Sequence, residues 1–466
     1  MSGLLATLGA GAQSLDAFER STSALQNNVN NSSTVGYARQ EVHLAALPFN
    51  ATTQRYGGVE AGELRSTRNR FLEDSVRSQE QQAGSATARM QTLSLIESLF
   101  PVDANQGLPQ ALNQLWSAFS SWSASPNDAN ARQQVIISAV GLSDAFRSLS
   151  TRLSEAARSI DGQVEADVDK VNRLGAQIAD LNSQQLKGPK ADPSRDAALH
   201  ATLEELSQVA RFDVLNQADG TVTVLLEGQT PLVLGDRALP LKVEDSPSGP
   251  QIINASGDNV TVSVRGGELG GLLSVRYGEL AQLIGTATEP GQLDTLASSL
   301  ASRINTLLTS GVVDEGPPPV AGRPLFESPS GSVHYASDIK VATGTTAQDL
   351  AAVDPGPPAS TNGIALRLAG LADSTDAADQ IDGLTYGAYY SSLAANVGGS
   401  VQAADRERTA SEDAATLAKN LREQVSGVSL DEQAAELLQL QKSYQASARF
   451  IQIINELADT LVNLGT

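Results

Sequence analysis

Apolar residues recur at alternating steps of four and three along the first part of the chain, a spacing typical of one face of a coiled-coil helix. This face is formed by Leu4, Leu8, Leu15, Phe18, Leu25 and Val29, with Gly11 and Thr22 as its small members. The asparagine-rich run 27–31 follows it. Because asparagine tolerates left-handed backbone and forms local hydrogen bonds, we expect the helix to end there. Gly36 marks the turn that comes next, and alternation at 42–46 predicts a short strand.

The C-terminal end repeats the pattern of the first helix. Its apolar face is formed by Leu437, Leu440, Tyr444, Ile451, Ile454 and Leu461, with Ser447 and Ala458 as small members. Two such faces at opposite ends of one chain predict helices that pair as in a coiled coil. Spacing alone does not distinguish pairing inside one molecule from pairing between molecules.

Between the terminal helices the spacing of apolar residues changes from a helical period to strand-like alternation. Residues 65–210 keep a helical period, with Trp116 and Trp122 on one apolar face. Residues 211–265 alternate with a period of two and predict a small antiparallel β domain, whose last strand lies at 260–264. A helical period then returns with Leu293, Leu296, Leu300, Ile304 and Leu307.

The sequence divides into seven segments. They are 1–64 with the first helix and its turn, helical 65–210, β-rich 211–265, a helical return at 266–310, a Pro- and Gly-rich linker or reduced insertion at 311–385, a second helical return at 386–425, and the last helix at 426–466. Within the fifth segment we expect an exposed stretch at 311–362 with a strand near 333–341. The predicted fold is mainly α with a small antiparallel β domain, elongated, with a long helical bundle in the middle.

Composition excludes several classes of function. The chain has 53 acidic and 32 basic residues and a net charge of −21, which repels phosphate backbones and argues against nucleic-acid binding. The absence of cysteine excludes disulfides, thiolate metal sites and cysteine nucleophiles. No apolar run is long enough to span a bilayer, so no membrane is expected. No basic residue precedes Arg20, so a cleaved secretory signal peptide is not expected either.

The residues that carry catalytic chemistry form no recognisable pattern. His43, His200 and His334 are far apart in sequence, and none belongs to an H-E-x-x-H pattern. The glycine-rich run 266–271 lacks the G-x-G-x-x-G order of a phosphate-binding loop and predicts a tight turn. We therefore expect no cofactor, no metal, no catalytic residue and no enzymatic activity.

Both ends carry motifs that resemble those of flagellar rod, hook and hook-associated proteins. The N-terminal motif consists of Asn27, Asn28, Asn31, Thr34, Gly36, Tyr37 and Arg39. The C-terminal motif consists of Leu430, Asp431, Glu432, Tyr444, Gln445, Ala446, Ser447, Ala448 and Arg449. The two motifs in this order, at the two ends of one chain, are highly specific for that family.

The middle of the chain narrows the resemblance. A helical segment precedes the β-rich one, and the runs 193–196 and 266–273 flank the latter, an order similar to hook-associated proteins at the hook–filament junction. This resemblance implies a structural subunit whose terminal helices form an inner tube with neighbouring copies. Hook or distal rod subunits would show β structure directly after residue 65. A secreted coiled-coil effector or adhesin would need no paired motifs.

The resemblance also implies partners and a location. The expected partners are further copies of the chain in a ring, the hook subunit, a second junction protein toward the filament, an export chaperone on the C-terminal helix, and the flagellar type III export apparatus. The expected location is the extracellular part of the bacterial flagellum.

Overall fold

The computed structural model describes residues 2–50, 55–189, 192–314, 316, 318–328 and 332–464. They belong to two compact units. The first comprises Met1–Ala83, Lys170–Pro240 and Ser411–Thr466, and the second comprises Gly84–Asp169 and Leu241–Ala410. The seven segments drawn from the sequence are a finer division and stay a prediction.

Helices make up most of the described chain. They are α1 (Ser2–Asn30), α2 (Arg70–Glu97), α3 (Gly107–Ala124), α4 (Ala129–Lys187), α5 (Pro193–Val209), α6 (Gly267–Tyr277), α7 (Glu279–Ile284), α8 (Gln292–Ser310), α9 (Tyr335–Asp338), α10 (Gly363–Gly370), α11 (Tyr386–Ser426) and α12 (Leu430–Leu464).

The strands are short and pair in antiparallel fashion. They are β1 (Gln40–Ala46), β2 (Phe49–Asn50), β3 (Arg55–Tyr56), β4 (Val59–Ser66), β5 (Phe212–Asn216), β6 (Val222–Leu226), β7 (Thr230–Leu234), β8 (Arg237–Ala238), β9 (Lys242–Ser246), β10 (Gly249–Ile253), β11 (Val312–Asp314) and β12 (Val320–Ala321). The predicted fold class, mainly α with small antiparallel sheets, is confirmed.

In the first unit, α1 packs against α12 and against the hairpin of β1 and β4. The hairpin places Gln40 opposite Ser66. Gly57 and Gly58, directly before β4, both have positive φ, a conformation that costs glycine little. The Ser14 hydroxyl on α1 accepts a hydrogen bond from the Val59 amide at 3.0 Å, which anchors the hairpin to the helix.

The first unit also contains the sheet β5–β6–β7–β8, in which the strands lie in chain order. The buried Asn182 of α4 attaches the helix to this sheet. Its Nδ2 donates to the carbonyls of Val222 and Gly235, both at 2.7 Å, and its Oδ1 accepts from the Val222 amide at 3.0 Å. These bonds satisfy backbone groups that the irregular ends of the sheet leave unpaired.

The core of the second unit is built on α3, α8 and α10, in which α10 packs on both α3 and α8. Phe119 and Trp122 on α3 are fully buried, and the ring of Trp116 lies 6.3 Å from that of Tyr386. The apolar face of α8 was predicted from its period, and it is buried throughout. Its members are Leu293, Leu296, Leu300, Ile304 and Leu307.

The last strand predicted for the β-rich segment, at 260–264, is wrong. Residues Thr261–Ser263 form a 3-10 helix instead. The Asn259 side chain accepts hydrogen bonds from the Thr261 amide at 3.0 Å and from its hydroxyl at 2.7 Å. This local bonding competes with a strand and turns the chain, and it leaves Val262 exposed.

The stretch at 311–362, expected to be exposed, is exposed only in part, because short buried segments interrupt it. Leu325 and Phe326 are fully buried, and the Asn305 side chain of α8 binds their backbone groups at 2.8 to 2.9 Å. The strand expected near 333–341 is replaced by α9, with only an isolated bridge at Val341. Proline and glycine indicated turns correctly, but turns are compatible with burial when neighbouring side chains satisfy their backbone.

Candidate assembly site

The N-terminal motif meets α12 at Asn28, which is fully buried near the end of α1. Its Oδ1 accepts from the Gln40 amide at 2.8 Å and from the Tyr37 hydroxyl at 2.9 Å. Its Nδ2 donates to the Gln40 carbonyl at 2.9 Å and to Gln433 Oε1 on α12 at 2.8 Å. All four hydrogen-bonding positions of the amide are therefore used. Asn28 fastens α1, the start of β1 and α12 at one point.

The other asparagines of the N-terminal motif end α1 as expected. Asn31 Nδ2 donates to the Asn27 carbonyl and to Asn27 Oδ1, both at 2.9 Å, and Asn31 Oδ1 accepts from the Thr34 hydroxyl at 3.3 Å. Burial raises the pKa of Tyr37, so its hydroxyl stays protonated and able to donate to Asn28. The side chains of this motif thus bind mainly to one another.

Gly36 is the tightest point of the N-terminal motif. Its φ is +75°, and a Cβ added there would lie 2.4 Å from the Ala197 carbonyl oxygen of α5. Its own carbonyl accepts a hydrogen bond from Arg68 Nη2 at 2.6 Å. Glycine is therefore required both by the backbone angle and by the close approach of α5.

Arg39 provides the second link between the two motifs. Its amide donates to the Ser426 carbonyl at 2.9 Å, at the last residue of α11. Its Nη1 lies 3.2 Å from Glu432 Oε2 near the start of α12. Glu432 is 65% exposed, so the ion pair contributes little energy and mainly orients the break at 427–429. A polar cleft of about 890 Å³ opens between this break and the turn that contains Gly36.

The predicted packing face of α1 lies in the groove between α1 and α12. A Cβ at Gly11 would lie 2.9 Å from Ile451 Cγ1, so the two helices approach closely there. Burial of the predicted residues is graded. Leu25, Leu440 and Ile454 are buried; Leu8, Leu15, Phe18, Leu437 and Ile451 are half-buried; Val29 and Tyr444 are exposed. The side chains of Leu4 and Leu461 lie outside the described residues.

Most side chains of the C-terminal motif point to solvent. Leu430, Asp431, Glu432, Tyr444, Gln445, Ala446 and Arg449 are exposed, and Ser447 and Ala448 are half-buried. The buried contact between this region and the N-terminal motif runs through Gln433, which spacing did not single out. The role of Tyr444 in subunit packing stays a prediction.

A second apolar row, the outer row, runs along the exposed side of α12. It consists of Phe450, Ile453 and Leu457, which are 52%, 54% and 52% exposed. Their spacing of three and four puts them on one face of the helix, next to the face that covers α1. A continuous row of large exposed apolar side chains is a typical mark of a surface that another chain covers.

Among the residues that the structure describes, no group of three or more histidine, aspartate or glutamate side chains is placed to hold a metal ion. No helix among these residues is both long enough and apolar enough to cross a membrane.

The central part of the sequence matches the family model described as the helical domain of flagellar hook-associated protein FlgK, over residues 93–326, about half of the chain. The chain belongs to the FlgK family. Residues 423–464, which include the C-terminal motif, match a second model, the C-terminal region of the flagellar basal body rod proteins FlgEFG. The family is one of structural proteins of the bacterial flagellum, as the paired motifs predicted.

Individual relatives agree with this assignment. Flagellar hook-associated protein 1 of Bacillus subtilis is 26% identical over 97% of this chain and 96% of its own length. The Escherichia coli protein of the same name is 23% identical over 97% and 98%. The solved structure of the flagellar hook junction protein FlgK from Burkholderia pseudomallei has a TM-score of 0.65 at 16% identity and covers 75% of this chain and 100% of that one. This likeness shows that the fold is shared.

Beneath the N-terminal motif of this FlgK family member lies a cluster of charges that sequence analysis missed. The charged cluster consists of Arg68, Glu73, Asp196, Glu204 and Arg422. Arg68 binds Glu73 at 2.6 Å and Asp196 at 2.9 Å, and Arg422 binds Glu204 at 2.7 Å. Burial lowers the pKa of Arg422, but Glu204 and Glu73 more than offset this effect and raise it.

The signals for the charged cluster were weak. Asp196 belongs to the run 193–196 that supported the family resemblance, but its spacing did not indicate its partner Arg68. Glu73 and Arg422 occur on helices where charged residues are common. Only the fold brings them together.

Proposed function

We propose that the chain is a structural subunit of the junction between the flagellar hook and filament. The observation that carries this proposal is the joining of the two terminal helices at Asn28 and Gln433, with the outer row of α12 left exposed. Family membership and the names of the relatives support the same role.

In this role the α1–α12 pair packs against neighbouring subunits in the flagellar axis. One face of α12 covers α1, and the outer row remains for a neighbour. Each outer-row side chain is about half exposed, so its complete burial contributes about 1 kcal/mol. Repeated around a ring, and with the exposed members of the C-terminal motif added, such contacts offset the entropy lost when subunits associate. The expected neighbours are further copies, the hook subunit and a second junction protein.

The subunit reaches this position outside the cell through the flagellar type III export apparatus. Before export, a chaperone covers the C-terminal helix, because an exposed apolar row would otherwise promote early association. The chain acts by packing alone, as a structural protein without enzymatic activity.

A second candidate is a hook or distal rod subunit, which the match of residues 423–464 to rod proteins favours. That match covers only the C-terminal helix region. The match over 93–326 is specific to the FlgK helical domain, and it favours the junction.

The test is a clean gene deletion examined by electron microscopy and by assay of the culture medium. We expect hooks without filaments and flagellin in the medium. Absence of hooks would favour the rod or hook candidate, and normal filaments would contradict both.

Complementation of the deletion then tests the outer row. Ile453→Asp places a charge on this row, and we expect it to be exported but not to restore filaments. Leu215→Asp, on β5, is a matched control, since Leu215 is 50% exposed and Ile453 54%. Full restoration by Ile453→Asp would contradict the proposed packing surface.

A further inference from the structure

An imidazole lies against the charged cluster. His200 is on α5, its side chain is 17% exposed, and its Nδ1 atom is buried without a hydrogen-bond partner. Nδ1 lies 3.7 Å from Glu73 Oε2, and Nε2 lies 3.8 Å from Asp196 Oδ1. Both distances are too long for hydrogen bonds. A buried polar atom without a partner is rare enough to need an explanation.

Every element around this imidazole contributes a charged group. They are Glu73 and Arg77 from α2, Arg68 from the segment before α2, Arg422 from α11, and Asp196 from α5 itself. Burial lowers the pKa of His200 well below its ordinary value of 6.5, and the arginines lower it further. The imidazole is therefore neutral near neutral pH.

The carboxylates next to His200 are the ones that hold Arg68. Glu73 Oε1 lies 2.6 Å from Arg68 Nη1, and Asp196 Oδ2 lies 3.1 and 2.9 Å from its Nε and Nη2. The same Nη2 atom donates to the Gly36 carbonyl at 2.6 Å. Arg68 thus connects the surroundings of His200 directly to the N-terminal motif.

We propose that His200, Glu73, Asp196 and Arg68 form an acid-sensitive latch that holds the N-terminal motif in place. A proton taken up at Nδ1 makes His200 an imidazolium, which needs carboxylate partners. The nearest are Glu73 and Asp196, so the imidazolium competes with Arg68 for both. As Arg68 shifts, it releases the Gly36 carbonyl, and the turn of the N-terminal motif separates from α5. The latch is a property of the folded subunit and goes beyond its role at the junction.

The direction of the pH effect follows from proton binding. The opened state, in which His200 regains its ordinary pKa, binds more protons than the closed state between pH 6.5 and the lower closed-state pKa. The latch is therefore fully closed above pH 6.5. As the pH falls below 6.5, the opening equilibrium constant rises by up to about tenfold per pH unit.

Hydrogen exchange of the full chain, followed by mass spectrometry, measures this opening. Exchange is compared at pH 7.5 and 5.5 after correction for the intrinsic rates. In peptides covering 34–40 and 196–204 we expect protection to fall by up to about tenfold at the lower pH. Peptides covering 110–122 in α3 should keep their protection.

Two substitutions identify the responsible group. His200→Gln removes the titrating group and should make protection in 34–40 independent of pH over this range. His43→Gln changes an exposed histidine on β1 and should behave as the wild type. An equal loss of protection in the His200→Gln variant, or no loss in the wild type, would overturn the proposal.

A measurement on the wild type covers the case in which His200→Gln does not fold. The ring protons of the three histidines are titrated by NMR together with the Gly36 amide. We expect one ring to titrate well below 6.5, with the Gly36 amide shifting at the same pH. Three rings that all titrate near 6.5, or a Gly36 amide that does not follow the low-titrating ring, would overturn the latch.

Discussion

Asn28 Nδ2 donates to Gln433 Oε1 at 2.8 Å, and this bond joins residues that are 405 positions apart in the sequence. Both side chains are buried, Asn28 completely. This bond fixes the helix at the start of the chain to the helix at its end. The N-terminal motif therefore serves the fold, since its buried Asn28 holds α1 to α12. The exposed members of the C-terminal motif are free of this task.

Replacing Asn28 by Ala should strongly loosen the terminal helix pair. The Gln40 amide, the Gln40 carbonyl and Gln433 Oε1 would lose their partner in a buried place, and each unsatisfied group costs about 1–3 kcal/mol. We expect a loss of at least about 2 kcal/mol, measured as hydrogen-exchange protection of 433–440. Asn30→Ala, at an exposed position of the same helix, is the control. Equal protection in the two variants would show that Asn28 is not the fastening point.

Gly36→Ala should destabilise the N-terminal motif by more than its backbone angle alone requires. Gly344 is the matched control, because its φ of +81° is similar to the +75° of Gly36 but no atom lies within 4 Å of its added Cβ. Gly344→Ala should cost about 1 kcal/mol. Gly36→Ala should cost clearly more, because its methyl group meets the Ala197 carbonyl. Urea denaturation of both variants measures the difference, and similar losses would mean that α5 simply moves away.

Arg422→Met should destabilise the first unit by about 2–3 kcal/mol, because it removes the nearest cation from the mostly buried carboxylate of Glu204. The cation that remains near Glu204 is the more distant Lys419, at 3.6 Å. Arg173→Met, at an exposed position of α4, serves as the control and should stay within about 0.5 kcal/mol of the wild type. Urea midpoints of the two variants provide the comparison, and a neutral Arg422→Met would show that the charged cluster adds nothing to stability.

Asp294 should give the second unit a pH dependence of its own. Burial raises its pKa, although hydrogen bonds from the Ala336 and Gly291 amides act in the opposite direction. The folded state then binds the proton more tightly than the unfolded state. The stabilisation that this bound proton provides is complete when the pH is below 3.8, the ordinary pKa of the carboxyl group. It is lost as the pH rises through the folded-state pKa.

The difference between the pH–stability curves of the wild type and Asp294→Asn isolates the contribution of Asp294, because the contributions of the other carboxylates are the same in both proteins. The wild type should lose stability relative to Asp294→Asn as the pH rises above 3.8. Asp338→Asn, which replaces an exposed carboxylate on α9, is the control. A difference curve with the opposite slope would contradict the assigned direction.

The sequence alone predicted the structure where the local spacing of apolar residues decides it. The apolar faces of α1, α8 and α12 were predicted from spacing. The end of α1 was predicted from its asparagines. It was insufficient where the deciding contact is distant. Nothing near Arg68 indicates that it will bind Asp196 and the Gly36 carbonyl, because the fold alone sets those distances.

Two further errors have a common physical cause. The strand expected at 260–264 and the exposed stretch expected at 311–362 were both drawn from residue type. In each case a single side-chain amide, of Asn259 or Asn305, binds the neighbouring backbone and decides the local path. The spacing of apolar residues does not indicate such bonds between side chains and the backbone.

Ile453 and Ile454 allow folding and assembly to be separated by one experiment. They are adjacent and identical in type, but Ile454 is 6% exposed on the face of α12 that covers α1, and Ile453 is 54% exposed in the outer row. Ile454→Ala removes buried methyl and methylene groups and should cost about 2–4 kcal/mol of stability. Ile453→Ala should change stability by less than about 0.5 kcal/mol.

In cells the two variants should show different defects. Ile454→Ala should lower the amount of intact subunit, because a partly unfolded helix pair is open to proteolysis. Ile453→Ala should leave that amount unchanged and reduce the number of filaments per hook, counted by electron microscopy. If Ile453→Ala cells carry normal numbers of filaments that also resist mechanical shear as the wild type does, the outer row is not a packing surface. The neighbouring subunit would then have to bind elsewhere on the α1–α12 pair.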